Sequence, residues 1–427
     1  RLAVPAAKPR ISSITYSGAE MDIGRQSDQG NRYFNGLIDD VQIYNRALSE
    51  AEVAGFLSHF VPDQTATFSA GTVWTTINSP TVIGERDPGF ADRNLRISGT
   101  TVTVNGTNYF RNVELLNGAV LTHSATTTLQ EFSLDLNAWT VSVDATSSID
   151  VTGKGYLGGR TGDERGRTVG NALGSYSGAG GSYGGLGGGY QGAVPNPVYG
   201  DLINPLDLGS GGGVWAGAWG GDGGGLIKLS AINVTNDGSI RSNGGGSAGS
   251  AAGDGSGGGI NITTATISGA GTILANGGGN GSGAGGGRIA IRSIDMSTMD
   301  AANVKALGGF GPYAKGANGT VVFIEQDKTA LILSGQGPSS PWIDLALPPG
   351  YVFDSVTLRD NARVIAYDTF TVTGKLWITG NSILTQNNGN ESGLAINAAV
   401  VQVDAGSALD VTGRGYIGGR TGDGRGL

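Results

Sequence analysis

The 427-residue chain holds 79 glycines and 13 prolines yet is 38% hydrophobic, a glycine share more than twice the usual ~7% with enough apolar residues left for a patterned core. A net charge of −8 without a basic stripe excludes a nucleic-acid partner, and no apolar run reaches the roughly 18 residues that cross a bilayer as a helix. With no cysteine, disulfide scaffolds, thiol catalysis and Cys-based zinc sites drop out, and His59 and His123, far apart and outside any HExxH pattern, remove most histidine–metal and Ser–His–Asp chemistry.

In chain order, residues 11–16 and 19–23 read as short strands, followed by a polar turn at 26–31. Residues 33–44 then offer Leu37, Ile38, Val41 and Ile43 as the buried side of a sheet. Ser49 and Glu52 form a capping box, which opens a short amphipathic helix on Ala51, Val53, Ala54 and Leu57 that ends near Ser58. The stretch 23–53, IGRQSDQGNRYFNGLIDDVQIYNRALSEAEV, resembles the closing part of a laminin-G-like, concanavalin A-type jelly roll. The resemblance covers residues 1–60, about a third of such a fold. It implies a lectin-like neighbourhood and hands over no site. Asp39 and Asp40 are candidate metal ligands within it, although hydrogen bonding near the helix start or pairing with Arg46 accounts for them more simply.

Beyond residue 60 the chain repeats itself. Residues 147–166 (SSIDVTGKGYLGGRTGDERG) and 407–426 (SALDVTGRGYIGGRTGDGRG) share fifteen of twenty positions at an offset of 260. A first unit therefore spans 61–327, and a second, truncated one spans 328–427. Inside the first unit, Leu226, Leu229, Ile232, Val234 and Ile240 recur 33 residues later as a second set of short apolar strands, closed by Asn243 and Asn276 in equivalent turns. Each copy reads as three strands that bury too few aliphatic side chains to stand alone. Stacking like on like solves that problem. The expected fold is all-β: the jelly-roll fragment, then a right-handed parallel β-helix with long Gly-rich loops, the alternative being tandem β-sandwich modules. Asn243 and Asn276 are expected in left-handed turns, stacked as an amide ladder.

The glycine tracts fall between the last strand of one copy and the first of the next, so they leave one edge of the solenoid. Two arrangements fit them: glycine-dense polyproline-II segments packed together, or a flap pinned down by aromatics. Trp215, Trp219, Tyr183 and Tyr190 are candidates for stacking on sugar rings. Arg160, Asp163 and Arg165 form a second, polar candidate cluster, with Asp144 and Asp150 nearby and Asp404, Asp410, Arg420, Asp423 and Arg425 as counterparts; paired carboxylates of this kind suit glycoside cleavage. Near duplication of the set speaks for turn structure, Asp150 and Asp410 above all. Gly220-Gly221-Asp222 and Gly253-Asp254 approach a calcium nonapeptide out of register, which leaves Ca2+ as the one cofactor in play. The expected function is that of a secreted or cell-surface structural and adhesive protein of bacterial type. Its repeat rod carries a lectin-like module toward a polysaccharide or glycoconjugate surface, with no membrane span in this stretch of what reads as a longer polypeptide. The alternative is a polysaccharide-degrading lyase or hydrolase on a β-helix.

Overall fold

The computed structural model describes residues 73–416 except 161, 216, 217, 249–251, 348, 349, 368, 391 and 392. The jelly-roll resemblance, Asp39, Asp40, the Ser49 capping box, His59, Arg420, Asp423 and Arg425 lie outside the described residues.

The fold is all-β. A fourteen-stranded sheet runs from Trp74–Ile77 through Asn94–Ser98, Asn112–Leu116, Leu134–Val143, Leu226–Asn236, Gly259–Gly269, Arg288–Ser293 and Thr320–Glu325. It continues through Lys328–Ser334, Val352–Arg359 and Phe370–Ile378 to Ile396–Val403. A seven-stranded sheet of short strands, among them Val120–Thr122, Ser148–Asp150, Ser239–Arg241 and Thr272–Leu274, closes the first set of coils. A four-stranded sheet from Trp342–Leu345 to Ala408–Leu409 closes the second. The chain alternates between a long and a short strand, and each strand pairs in parallel with its counterpart one coil away. Ile227 sits opposite both Leu134 and Ile260, and Ile240 opposite both Ile149 and Ile273. Sandwich modules need antiparallel hairpins within each sheet, and this pairing rules them out.

The expected three strands stay separate in two coils, Gly106–Tyr109, Asn112–Leu116 and Val120–Thr122 in one and Arg288–Ser293, Asp295–Met299 and Val304–Lys305 in the other, whereas in the coils between them the first two fuse into one. Leu226–Asn236 is continuous, but its inward residues change phase, from Ile227 and Leu229 to Val234 and Asn236. Leu134–Val143 does the same, from Leu134 and Leu136 to Val141 and Val143. A strand that keeps side chains inward on both sides of such a shift must bend. Its parallel ladder carries on around the corner, so two sequence segments that read as separate strands form one.

Between Thr320–Glu325 and Lys328–Ser334 the pairing is antiparallel. Gln326 and Asp327 both take positive φ, 48° and 65°, the two-residue reversal that suits strand twist. Chain direction flips there and so does the inner face. Val321 and Phe323 belong to the apolar core of the preceding coils, whereas Val322, Ile324, Leu331 and Leu333 belong to the core of the following ones. The strand Thr320–Glu325 is accordingly buried on both faces up to Ile324.

The turn residues act through hydrogen bonds between coils. The Asn243 Oδ1 accepts the Asn276 N–H at 2.8 Å, and the Asn276 Oδ1 accepts the Leu307 N–H at 2.8 Å. The ladder thus runs from side chain to backbone, and neither asparagine is among the residues of positive φ. This corrects the left-handed expectation: the glycines that follow leave directly outward, so no reversal is needed at the asparagine.

Candidate functional site

Glycine tracts leave the solenoid after the short strands Ser148–Asp150, Ser239–Arg241, Thr272–Leu274 and Val304–Lys305 and return into the next long strand, forming arms that run out and back. Residues 242–247 go out and 252–258 return, joined by bonds from Gly255 N–H to Gly245 O and from Gly258 N–H to Ser242 O. The tracts 275–278 with 284–287, and 306–309 with 316–319, pair the same way. Along each returning segment successive N–H groups point to different neighbours with a period of three. Gly253 and Ser256 donate to Gly213 and Ser210, Asp254 and Gly257 to Ser282 and Gly285, and Gly255 and Gly258 to Gly245 and Ser242. Three residues per turn without internal bonds is the geometry of polyproline II. The arms are therefore a bundle of such helices, the first of the two arrangements the sequence allows. The bundle demands glycine because backbones touch: a Cβ on Gly209 would lie 2.5 Å from the Gly257 carbonyl oxygen and 2.6 Å from that of Ser256.

At the root of the bundle, the buried His123 donates from Nδ1 to the Ser124 carbonyl at 2.7 Å and accepts the Leu226 N–H on Nε2 at 3.2 Å. Burial holds its pKa down at about 4, the bond to Ser124 opposing and the Lys154 charge assisting. Arg288, also buried, donates to Tyr199 O and Thr320 Oγ1 and lies over the Tyr183 ring at 5.6 Å. Burial works against its charge and lowers its pKa.

The far end of the bundle carries the aromatic residues. Among the described residues nine Phe, Tyr or Trp side chains are exposed, and six of them sit in the turns of the arms: Tyr176, Tyr190, Trp215, Trp219, Phe310 and Tyr313. These turns form one face. Trp219 bridges Ala248, Tyr176 bridges Val194, and Gly253, Ser282 and Ala314 pair in sequence. The Tyr190 and Tyr313 rings lie 5.6 Å apart. Cations sit beside three of the rings, Arg160 over Trp219 at 5.6 Å, Arg165 over Tyr176 at 5.2 Å and Lys315 over Phe310 at 4.4 Å, orienting the aromatics by charge–quadrupole attraction.

Of the stacking candidates, Trp215 and Trp219 are 58% exposed and Tyr190 is exposed as well. Tyr183 is not available to a ligand. It is fully buried inside the bundle, tilted against Tyr199 at 4.8 Å, and burial pushes its hydroxyl well above the usual tyrosine range. Phe310 and Tyr313 escaped the sequence reading because they belong to a turn about a hundred residues further on. Their setting, GGFGPYAKGANG, has the same glycine density as the earlier tracts and is the signal that finds them.

The polar cluster divides into separate pairs. Arg160 binds the Asp222 carboxylate at 2.6 Å, Asp163 pairs with Arg167, and Arg165 lies against Tyr176. Asp150 accepts the Thr152 N–H and two bonds from Arg241, and Asp410 accepts the Thr412 N–H. These carboxylates shape turns. The calcium candidates are engaged in the same manner: Asp222 accepts the Gly158 N–H, and the buried Asp254 accepts the N–H groups of Ser247 and Gly281. Among the described residues no three acidic or histidine side chains gather as a metal site.

Residues 5–54 match the family model described as the concanavalin A-like lectin/glucanases superfamily. That span is a small share of the chain and precedes the described residues. No curated protein and no solved structure matches the chain. Among the described residues no helix is long and apolar enough to cross a membrane.

Proposed function

We propose that the chain is a structural and adhesive protein of the secreted or cell-surface kind, in which a stacked β-coil scaffold holds a carbohydrate-binding face on the tips of glycine-rich arms. The observation that carries the reading is the concentration of exposed aromatic rings on those tips. Flat apolar faces with polar edges suit the faces of sugar rings, and the bundle behind them has no side-chain freedom left to spend on binding. The lectin-type match at residues 5–54 adds a second carbohydrate-directed module. Two sites on one polypeptide combine through effective concentration, so weak contacts hold a surface firmly. The repeat units 61–327 and 328–427 belong to this reading, since the strands from Lys328–Ser334 onward follow the same long–short alternation as those before Gln326.

The test is a glycan-binding screen with the intact chain and a Trp215→Ala/Trp219→Ala double variant. Both positions are exposed, so the variant is expected to fold like the parent and to bind at least about tenfold more weakly, the loss of roughly 1.4 kcal/mol of stacking. Equal binding by parent and variant would remove the tips from the mechanism. Turnover of any polysaccharide would favour the enzyme instead.

A further inference from the structure

We infer that the arm-tip face takes an uncharged glycan chain several sugars long; the inference rests on the carbohydrate reading above and narrows it. Its first support is charge. Residues 176–179, 189–193, 214–219, 247–252 and 279–282 carry no charge in sequence. Residues 160–165 are neutral in sum, Arg160 and Arg165 against Asp163 and Glu164. Their strong charges are already matched, Arg160 by Asp222 and Asp163 by Arg167. Lys315, in the last turn, donates to Ser339 Oγ at 2.5 Å and rests on Phe310, contacts that leave its single charge in place. One lysine gives an acidic polymer little field to steer it, whereas aromatic rings, glycine backbone and small polar side chains serve a neutral one.

The second support is length. From the Trp219 turn to the Phe310 turn the arms step through three successive pairings just behind the tips: Trp219 with Ala248, the buried Gly253 with the buried Ser282, and Ser282 with Ala314. At ~4.8 Å for each pairing the platform extends roughly 14 Å. A single sugar covers one ring and leaves the other end bare. A chain of several units reaches both the tryptophan and the phenylalanine–tyrosine ends, and each added contact lowers the off-rate.

Isothermal titration of the full chain with neutral gluco-, manno- and N-acetylglucosamine oligomers of increasing length, and with polygalacturonate as the acidic comparison, tests this. The expected result is affinity that climbs with oligomer length and changes less than about twofold between low salt and about 0.5 M NaCl, because no ion pair is being screened. Trp219→Ala and Phe310→Ala, at opposite ends, should each cost the long oligomers about tenfold while leaving the shortest within about twofold of one another. Preference for polygalacturonate with affinity that collapses in salt would overturn the inference and leave the carbohydrate reading standing. Affinity independent of length would do the same. Silence toward neutral and acidic glycans alike would overturn both.

Discussion

Replacing Gly209 with alanine tests the bundle most directly. The new Cβ would stand 2.5 Å from the Gly257 carbonyl oxygen and 2.6 Å from the Ser256 oxygen. Ordinary contact begins near 3.4 Å, so backbone on the facing helix must retreat by about 0.9 Å (3.4 − 2.5). Overpacking of this kind costs about 1–3 kcal/mol. The retreat also strains the bonds from Gly209 N–H to Gly224 O and from Ser210 N–H to Ser256 Oγ, both 2.8 Å, at about 1 kcal/mol for each one lost. With both bonds lost, a penalty of about 3–5 kcal/mol follows, concentrated in the arms. Amide hydrogen exchange is the assay, because it separates local opening from global unfolding. Amides of 209–214, 220–225 and 253–258 should lose protection while those of Leu134–Val143 keep theirs. The control is Gly84→Ala, where a Cβ has open space around it and the stiffer unfolded chain should leave stability equal or raised by up to about 1 kcal/mol. Unchanged arm protection in Gly209→Ala would refute backbone-to-backbone packing as the reason for the glycines.

Acid should loosen the root of the arms before it touches the carboxylates. The His123 pKa falls from 6.5 in the unfolded chain to about 4 in the fold, so the folded state binds fewer protons. Stability is whole above pH 6.5 and declines as pH drops toward 4, by about 3 kcal/mol; urea titrations across that window should show the decline, and His123→Gln should abolish it. Asp150→Asn keeps the bond to Thr152 N–H but weakens the fork with Arg241, and a loss of about 0.5–1 kcal/mol is expected for this partly exposed pair. Asp150→Ala should lose about 1 kcal/mol more, and a denaturation curve indistinguishable from the parent would sink the turn role. Phe323→Ala should lower protection mainly in coils before Gln326 and Ile324→Ala mainly in coils after it, each at about 2–5 kcal/mol, as read by residue-resolved exchange.

Much of this architecture is written in local pattern. The columns Leu134–Ile227–Ile260 and Ile149–Ile240–Ile273 are visible as a spacing because stacked coils need the same residue type at the same height. The bend that fuses two segments of Leu226–Asn236 is not visible, since a gap of polar and small residues looks alike in a loop and at a corner whose ladder persists. Gln326-Asp327 hides the chain reversal for a related reason: neither is glycine or asparagine, the usual occupants of such a turn, and the strand pair beyond it supplies the constraint. Among the site residues, Trp215 and Trp219 could be placed on the surface because their loop is polar and glycine-rich. Tyr183 and Tyr190 stand in near-identical glycine settings, yet one lines the bundle's interior and the other its tip. Which pass of the chain goes inside is decided by neighbours up to a hundred residues away, Gly259 and Arg288 among them, and no local window reports that.

The reversal at Gln326–Asp327 has a mechanical meaning. Coils that pair only with their neighbours can peel away one at a time under load. Thr320–Glu325 and Lys328–Ser334 instead supply wall residues to both apolar interiors, so neither set of coils can unzip through that point without opening the other. The hairpin acts as a rivet between two springs, and a pulling measurement should meet its highest rupture force there.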